Sequence, residues 1–340
     1  MRMVTLGSTG ITVNKNGFGA LPIQRVSFDD AAKILRHAYD NGVKFFDTAR
    51  FYTDSEEKIG YALADVRADI YIATKSMAQT GEAFLAELDT SLKNMKTDYV
   101  DLMQFHNPAF CPVPGHESGL YEAMLKAKEQ GKVRHIGITN HRLAVAKEAI
   151  TSGLYEVLQF PFSYISGAQE TELVEMCKEQ NMGFLCMKGM AGGLIKSGKA
   201  AYAFLAQPQF PHVLPIWGVQ KMEELEEFLA CNTDEFEQQL TPELQTIIED
   251  DRKELSGDFC RSCGYCMPCP MEISIKDCAR MSLMLRRAPI KEYTTPKWQE
   301  EMKKITNCIE CGQCKSRCPY GLDVPRLLKE NYEDFKPYFG

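Results

Sequence analysis

Nine cysteines crowd into residues 260–318, and this block constrains the chain more than any other feature. The other four of its 13 cysteines lie far apart in the first 256 residues, at Cys111, Cys177, Cys186 and Cys231. The N-terminal segment MRMVTLGSTG lacks the apolar core of a secretory signal, so we expect a cytoplasmic protein. Because disulfides are rare in a reducing cytosol, a cysteine block there predicts metal binding.

The cysteine block contains one motif twice. The second copy places four cysteines before a proline, in the order Cys308-x2-Cys311-x2-Cys314-x3-Cys318-Pro319. This is the bacterial ferredoxin spacing for [4Fe-4S] clusters, in which the fourth cysteine ligates the other cluster. The first copy is one residue shorter before its last cysteine, and reads Cys260-x2-Cys263-x2-Cys266-x2-Cys269-Pro270.

Crossing the two motifs predicts two four-cysteine sites. One site consists of Cys260, Cys263, Cys266 and Cys318, and the other consists of Cys308, Cys311, Cys314 and Cys269. Zinc is the alternative metal, but zinc sites usually use separated cysteine pairs rather than triplets followed by Cys-Pro. The ninth cysteine, Cys278, is outside both motifs, and we interpret it as a buried thiol rather than a ligand.

The chain before the cysteine block alternates short apolar runs with amphipathic stretches, from Asn16 to about Cys231. Eight strands are predicted, at 17–21, 44–48, 69–75, 99–106, 133–139, 157–160, 183–187 and 213–218. The clearest helical patterns lie between them, at 27–41, 81–96 and 119–130. Sustained strand-then-helix alternation indicates a parallel sheet, and eight strands suit a closed barrel. We therefore predict an α/β fold, a (β/α)8 TIM barrel followed by a small, mainly helical ferredoxin-like iron–sulfur domain.

The predicted domains are a barrel at 1–235, a bridging helix at 236–256 and the iron–sulfur domain at 257–340. Thr241 is the expected N-cap of the bridging helix, with Pro242 at its first position. The formal net charge of −7 argues against a nucleic-acid partner. The sequence lacks the roughly 20 consecutive apolar residues that cross a bilayer, so we expect no membrane association.

Five segments carry a family resemblance, and they appear in order at predicted strand ends. They are VKFFDTARFYTDSEEKIG (43–60), IYIATKS (70–76), TDYVDLMQFHNP (97–108), GKVRHIGITNH (131–141) and LQFPFSY (158–164). Together they resemble the aldo/keto reductases over nearly all of residues 1–230. With the ferredoxin-like tail, the chain is similar to the iron–sulfur-containing branch of that family. The resemblance implies an oxidoreductase that interconverts a small-molecule carbonyl and an alcohol by hydride transfer from nicotinamide.

The family's catalytic tetrad falls on Asp47, Tyr52, Lys75 and His106. Reduction of a carbonyl builds negative charge on its oxygen, so a proton donor must stand beside it. The phenol of Tyr52 is a weak acid, and we expect the Lys75 ammonium to make its ionised form less costly. Asp47 would hold Lys75, and His106 would orient and polarise the carbonyl. Taken singly, each residue is equally compatible with a structural role; the set of four predicts an active site.

The resemblance also implies a nicotinamide site. Thr139 and Asn140 match residues that hold the carboxamide, with Gln159 as their partner, and Met187 occupies the place of a stacking aromatic ring. The last-strand loop would grip the dinucleotide phosphates through backbone amides and one ammonium, at Gly218, Val219, Gln220 and Lys221. Lys188 is a further candidate for a phosphate or substrate contact.

Three departures from the family pattern leave the cofactor open between NADP(H) and NAD(H). They are Met187, Glu224 in place of an arginine, and Phe228 in place of an asparagine. Glu224 is a repulsive charge for a 2′-phosphate, whereas Lys221 is an attractive one.

Two alternative functions remain. One is a ferredoxin-dependent or flavin-assisted reductase that draws electrons through the clusters, which leaves ferredoxin or flavodoxin open as a partner. The other is an electron-carrier subunit whose barrel only docks a partner. The substrate is not named by the sequence. Four aromatic residues are candidate pocket walls, with local packing as the alternative: Phe51, Phe110, Phe162 and Tyr164.

Overall fold

The computed structural model describes residues 2–232, 240–255, 259–287 and 290–339. The chain divides into two compact units. The first contains Met1–Gly189 and Ser197–Ile248, and the second contains Met190–Lys196 and Glu249–Gly340. The domain boundaries predicted near 235 and 256 fall on residues outside the described ranges, so both boundaries stay predictions.

The first unit is a closed barrel of eight parallel strands within the described residues, which confirms the predicted TIM barrel. Each strand pairs with its sequence neighbours, and the last pairs with the first to close the ring. The barrel strands are β3 (Gly17–Gly19), β4 (Phe45–Asp47), β5 (Tyr71–Ser76), β6 (Val100–His106), β7 (Val133–Thr139), β8 (Val157–Pro161), β9 (Gly183–Met187) and β10 (Val213–Gly218).

An antiparallel hairpin precedes the barrel, formed by β1 (Met3–Thr5) and β2 (Thr12–Asn14). Its apolar side chains join the interior cluster that contains Phe45 and Val157, the first residues of β4 and β8. The hairpin therefore packs at the amino end of the strands, which leaves the opposite end for polar side chains. Our sequence analysis missed this hairpin because three-residue strands carry too little alternation to be recognised.

Helices follow the barrel strands in sequence, as the alternation predicted. The Ser27 hydroxyl accepts from the Asp30 N–H at 3.1 Å and begins the first helix. The helices are α1 (Phe28–Asp40), α2 (Ser55–Leu63), α3 (Gly81–Met95), α4 (Leu120–Glu129), α5 (Leu143–Ser152), α6 (Ala168–Glu179), α7 (Gly198–Leu205) and α8 (Met222–Cys231). The next helix, α9 (Pro242–Glu254), begins at the predicted cap, where Thr241 accepts from the Leu244 N–H at 3.3 Å.

The second unit is mainly helical, which confirms the predicted class of this domain. Its core is built from fully buried side chains that include Ile273, Cys278, Met281, Met302 and Phe335. Its further helices are α10 (Ile275–Cys278), α11 (Met281–Arg287), α12 (Ile290–Tyr293), α13 (Pro296–Lys303), α14 (Gln313–Ser316) and α15 (Val324–Phe335). No helix in the described ranges is both long and apolar enough to span a bilayer.

Candidate functional site

The predicted catalytic residues meet at the carboxyl end of the barrel. Asp47 ends β4, His106 ends β6, and Lys75 is the penultimate residue of β5. Carboxyl ends of parallel barrel strands open on one rim, where barrel active sites form. Tyr52 follows β4 in the loop before α2, and its ring lies 5.1 Å from the Lys75 ammonium. The Tyr52 and His106 rings meet edge to face, with centroids 5.8 Å apart.

Asp47 and Lys75 form a buried ion pair. The Lys75 Nζ donates to Asp47 Oδ2 at 2.7 Å and to the Thr48 carbonyl at 2.6 Å. Burial raises the pKa of Asp47 and lowers the pKa of Lys75, while the pairing of the two charges opposes both shifts. Lys75 is therefore held in one place by partners from the neighbouring strand.

The pKa of Tyr52 moves opposite to our expectation. Burial, followed by the negative charge of Asp47, raises the pKa of the phenol above its usual value. We had expected Lys75 to lower this pKa, but the ammonium is matched by Asp47 and lies over the ring. Tyr52 therefore holds its proton at neutral pH, which is the state that a proton donor requires.

His106 is a neutral imidazole at neutral pH. Burial, followed by the positive charge of Lys75, lowers its pKa to about 3. Its Nδ1 is buried and has no hydrogen-bond partner among the described residues. A buried polar atom without a protein partner is costly unless a ligand satisfies it. His106 thus has hydrogen-bonding capacity to spare for a molecule bound at the rim.

Gln104 is a site residue that the sequence analysis missed. Its side-chain amide donates to Gln159 Oε1 at 2.8 Å and to Asp47 Oδ1 at 3.4 Å, while the amide of Gln159 lies 3.5 Å from Asp47 Oδ2. The Gln104 Oε1 is buried without a partner in the described part of the chain. Strand alternation offered a signal, because Gln104 lies two residues before His106 and so shares its face. Gln159, expected beside the cofactor, belongs to this carboxylate network.

The predicted carboxamide residues lie at the ends of β7 and β9. The Thr139 hydroxyl lies 4.0 Å from the Met187 sulfur. The Asn140 oxygen accepts from the N–H groups of His141 and Arg142, each at 2.8 Å, and its amide donates to Pro108 at 2.9 Å. Asn140 therefore has one amide hydrogen left for a ligand, and its first role in the structure is to hold the loop.

The predicted phosphate loop is partly occupied by the protein itself. Glu224 Oε2 accepts from the backbone N–H of Gln220 at 2.8 Å and of Lys221 at 3.1 Å, at the start of α8. Such amides at a helix N-terminus attract anions, and here an internal carboxylate takes the place of one. The Gln220 amide is therefore not the open donor that we expected. The Lys221 side chain is exposed, Gly218 is exposed at the end of β10, and Val219 is buried.

The four predicted pocket walls separate into two groups. Phe162 and Tyr164 are each 1% exposed, and both pack against Phe204 in the barrel's outer core. For these two residues the structure supports the alternative of local packing. Phe51 is 70% exposed, and Phe110 stacks on His116 with ring centroids 4.1 Å apart. Both of the latter side chains lie in loops that follow strands.

The two cysteine motifs adopt the same unusual backbone conformation. Left-handed residues occur at the second and fourth positions after the first cysteine of each motif. In the first motif they are Ser262 (φ 52°) and Gly264 (φ 82°), and in the second they are Glu310 (φ 53°) and Gly312 (φ 73°). Glycine tolerates such angles best, which explains its position directly after the second cysteine in both copies. Alternation between right- and left-handed residues turns backbone N–H groups inward into an anion-binding concavity.

The cysteines of the two motifs share their surroundings in a crossed pattern. One cavity is lined by Cys308, Cys311 and Cys314 together with Cys266 and Cys269 of the other motif. Burial raises the pKa of Cys260, and the neighbouring thiols of Cys263 and Cys318 add to this effect. Cys269 therefore lies near the first three cysteines of the second motif, and Cys318 lies near Cys260 of the first. Cys278 is fully buried, as interpreted from the sequence, and its thiol faces the Glu301 carbonyl at 3.8 Å.

The cysteines are spread too widely for a single ion. Within the described ranges, no three His, Cys, Asp or Glu side chains converge closely enough to hold one metal ion. A tetrahedral zinc site requires thiolates about 2.3 Å from the metal. Thiols arranged round a cavity instead suit a larger inorganic group, so the donor set fits iron–sulfur clusters better than zinc.

Comparison with known proteins agrees with both halves of the chain. Residues 15–203 match the aldo/keto reductase family model, and residues 259–323 match that of a 4Fe-4S dicluster domain. L-galactose dehydrogenase of Arabidopsis thaliana is 32% identical over 209 residues, or 56% of this chain and 66% of that protein. Methylglyoxal reductase of Salmonella typhi is 33% identical over 150 residues, or 42% of this chain and 53% of that protein. The chain thus spans slightly less than two thirds of the first relative and about half of the second.

Solved structures share the barrel. The holo form of an aldo-keto reductase from Bacillus halodurans has a TM-score of 0.62 at 20% identity, covering 74% of this chain and 96% of that one. An aldo-keto reductase from Klebsiella pneumoniae in complex with NADPH has a TM-score of 0.62 at 21% identity, covering 73% and 94%. These likenesses show the fold, and the family match extends over more than half of the chain. The chain therefore belongs to the aldo/keto reductase family and carries a C-terminal 4Fe-4S dicluster domain.

Proposed function

We propose that this enzyme reduces a small-molecule aldehyde or ketone to an alcohol, or runs the reverse reaction, with a nicotinamide cofactor. The observation that carries the proposal is the buried Asp47–Lys75 pair beside Tyr52 and His106 at the carboxyl rim of the barrel. When bound, the nicotinamide supplies a hydride to the carbonyl carbon. The residues of the rim then have to orient the carbonyl and protonate its oxygen.

Tyr52 is the proposed proton donor. Its raised pKa keeps the phenol protonated until negative charge develops on the carbonyl oxygen. The Lys75 ammonium lies 5.1 Å from the ring centroid, within the range of a cation–π contact that helps to hold the Tyr52 ring in place. Asp47 holds Lys75 at 2.7 Å, and Gln104 holds Asp47, so both act as positioning residues.

His106 is the proposed carbonyl-orienting group. With a pKa of about 3 it is neutral, and its unpartnered Nδ1 leaves the imidazole free to bond substrate. A neutral imidazole polarises the carbonyl without competing with Tyr52 as the acid. The open Oε1 of Gln104 adds a second unsatisfied polar atom to the same rim.

The nicotinamide would be held by residues of the neighbouring strand ends and the last loop. Thr139, Asn140 and Met187 lie where the ring is expected, with Gln159 in the supporting network. Gly218, Val219, Gln220 and Lys221 form the loop expected near the phosphates. Because the Glu224 carboxylate is held in this loop and would repel a 2′-phosphate, we favour NADH over NADPH. Lys221 and Lys188 remain the cations that would meet an anionic group.

The C-terminal domain would hold two [4Fe-4S] clusters. The matching left-handed loops support two equivalent sites, and the crossed cysteine surroundings support the exchange of Cys269 and Cys318 between them. Such clusters carry single electrons. The ligand assignment predicted from the sequence is therefore the one that we propose.

A second candidate function is a reductase fed by a one-electron donor of the ferredoxin or flavodoxin class. Glu224 on the phosphate amides favours it, because that contact weakens the hold on any dinucleotide. In this version a carbonyl takes up two electrons, delivered singly, and two protons. One of these protons would come from Tyr52. The electron-carrier alternative is disfavoured, because a barrel that only docks a partner would not require a buried ion pair beside Tyr52 and His106 at its rim.

One experiment separates these candidates. Anaerobically purified protein is mixed with an aldehyde and ketone panel and either NADH, NADPH or chemically reduced ferredoxin, and alcohol formation is measured. We expect NADH to support reduction and Tyr52→Phe to abolish most of it. Alcohol formation with reduced ferredoxin but with neither nucleotide would support the second candidate instead. Alcohol formation from none of the three donors would refute both.

A further inference from the structure

Arg280 is a buried cation that the proposed reaction does not use. Its side chain lies between α10 and α11 and is 5% exposed. The Nη2 donates to the Gly192 carbonyl at 3.0 Å and lies 3.5 Å from the Met284 sulfur, while the buried Nε has no partner among the described residues. A Cβ on Gly192 would lie 3.1 Å from Nη1, so the backbone at that glycine fits closely around the guanidinium.

Arg287, at the end of α11 in the same unit, is a second buried cation, and its charge is paired within the protein. It also donates to a carbonyl of the 190–196 segment, that of Leu194, at 2.6 Å. Unlike Arg280, it is paired with two carboxylates, those of Asp251 and Glu254. The described residues place no carboxylate within ion-pair distance of Arg280. An unmatched buried charge costs several kcal/mol, so Arg280 requires an anion from another source.

The anion that Arg280 requires lies on the side of the Cys260 thiol, since Cys260 Sγ is 3.9 Å from the carbonyl of Lys276, one helical turn before Arg280. Burial lowers the pKa of Arg280, and Cys260 opposes this shift more than any other group, ahead of Tyr293 and Asp277. The effect is mutual, since Arg280 acts on the pKa of Cys260. The Asp277 carboxylate is already engaged by the Ser274 hydroxyl at 2.7 Å. Arg280 and the Cys260 thiol are therefore neighbours at the same turn of the chain, and a cluster with four thiolate ligands at this site would carry net negative charge.

We propose that Arg280 raises the reduction potential of the cluster ligated by Cys260, so that this cluster is the stronger electron acceptor of the two. A fixed positive charge in a dry site stabilises the state with one more electron, and net charge is among the factors that set cluster potentials. The inference rests on the proposed function, in which two clusters with crossed ligands occupy the domain.

The other cluster site has a different electrostatic environment. Cys308 shares its surroundings with Lys329, whose side chain is exposed and paired with Glu310 at 2.5 Å. An exposed and matched cation has little effect on a nearby charge because water and its partner screen it. Cys311 is exposed at that site, whereas Cys260 is buried. An electron received from a one-electron donor at the Cys308 site would therefore pass to the Cys260 site, which leaves the first oxidised and the second reduced by one electron.

The test is an anaerobic redox titration of the full-length holoprotein, followed by electron paramagnetic resonance. Wild type is compared with Arg280→Met, Arg280→Lys and Arg286→Met. Methionine keeps an unbranched side chain without charge, and lysine keeps the charge without the planar fork. Arg286 is the matched control, because it lies in the same helix but is exposed, and its replacement changes net charge equally.

We expect two one-electron transitions in the wild type. Arg280→Met should lower the midpoint potential of one transition. The change should correspond to at least about a tenfold shift of the reduction equilibrium toward the oxidised form, which is 59 mV for a one-electron couple. The other transition should stay in place, and Arg280→Lys and Arg286→Met should each shift either transition by less than about threefold.

Three results would overturn the inference. They are an Arg280→Met protein with both clusters and unchanged potentials, an Arg280→Lys protein shifted as far as Arg280→Met, or an equal shift in Arg286→Met. If Arg280→Met loses its iron, the test rests on Arg280→Lys. A wild-type potential in Arg280→Lys would support the role of charge, and a lowered potential would refute it. Iron and sulfide analysis of the wild type separates the two proposals: absence of clusters refutes the proposed function, whereas intact clusters with unshifted potentials refute only this inference.

Discussion

Each unit of this protein buries a cation, and the two units balance its charge in different ways. In the barrel, Lys75 forms an ion pair with Asp47 at 2.7 Å, so a side chain of the protein itself neutralises the buried charge. In the second unit, Arg280 is buried against backbone and sulfur, and Cys260 is the group that most offsets its charge. The difference teaches that the barrel is preorganised by its own side chains, whereas the second unit depends on the group that its cysteines hold.

The largest expected effect is the loss of the second unit's fold without iron. Metal-binding free energy becomes folding free energy when the site does not exist in the unfolded chain. Anaerobic protein should contain about eight iron and eight sulfide per chain, as two [4Fe-4S] clusters require. After chelation, limited proteolysis should cut residues 259–339 and spare the barrel. Cys278→Ala serves as the control and should retain its iron. Stoichiometric zinc without sulfide, or full protection without iron, would contradict the comparison.

The next effect is the cost of breaking the barrel's own ion pair. Asp47→Leu leaves Lys75 buried without its counter-charge, and should lower the free energy of unfolding by about 3–5 kcal/mol. The double variant Asp47→Leu/Lys75→Met removes both charges and should regain much of that loss. Chemical denaturation with both clusters intact measures the two differences. If the single and double variants are equally stable, the pair does not balance charge as described.

Loss of the proton donor should leave the fold intact. Tyr52→Phe removes one hydroxyl group, and carbonyl reduction should fall by about 10²-fold or more, the scale of general acid catalysis. Steady-state rates and the thermal transition are measured together. Tyr61→Phe is the matched control, because Tyr61 is 54% exposed and its hydroxyl bonds Asp29 at the surface. Normal turnover in Tyr52→Phe would exclude Tyr52 as the acid.

A smaller effect is expected at the phosphate loop. Glu224→Arg replaces a carboxylate that holds two amides with a cation, and should improve NADPH affinity about tenfold, or 1.4 kcal/mol. Lys221→Ala should weaken NADPH and leave NADH nearly unchanged. Fluorescence titration of both cofactors under anaerobic conditions gives the affinities. Glu223→Arg, at an exposed neighbour on the same helix, changes the net charge equally and is the control. Equal changes for NADPH and NADH would show that this loop does not read the 2′-phosphate.

The smallest effect concerns the pH dependence of stability. The pKa of His106 is lowered to about 3, below its value of about 6.5 in an unfolded chain. The unfolded state therefore binds more protons between these values, so stability falls as pH drops below 6.5. Each pH unit within that window should cost up to about 1.4 kcal/mol. Urea denaturation at pH 6.5 and 5.5 should show a drop of roughly 1 kcal/mol that is absent from His106→Gln. An identical drop in that variant would assign the effect to other groups.

Features that depend on local spacing could be predicted from the sequence. The eight strands follow from alternating apolar runs, and Thr241 caps α9 as its position before Pro242 indicated. The cysteine motifs could be recognised because a short loop around a cluster fixes the spacing of its ligands. The proline after each fourth cysteine indicated the crossed pairing. The hairpin β1–β2 escaped prediction, because its strands are too short for a periodic signal.

By itself, the sequence predicted the barrel and the mainly helical second domain, the family, the candidate cluster cysteines and the order of the candidate tetrad along the chain. Tertiary structure alone decided the placement of Glu224 on the Gln220 amide, of Gln104 between Asp47 and Gln159, and of Arg280 near Cys260. It also reversed the expected pKa shift of Tyr52, because burial and the charge of Asp47 both raise that pKa. The physical reason is that spacing along the chain sets which side chains share a face. The charge felt by each group depends on burial and on partners distant in sequence, and only the folded chain brings these together.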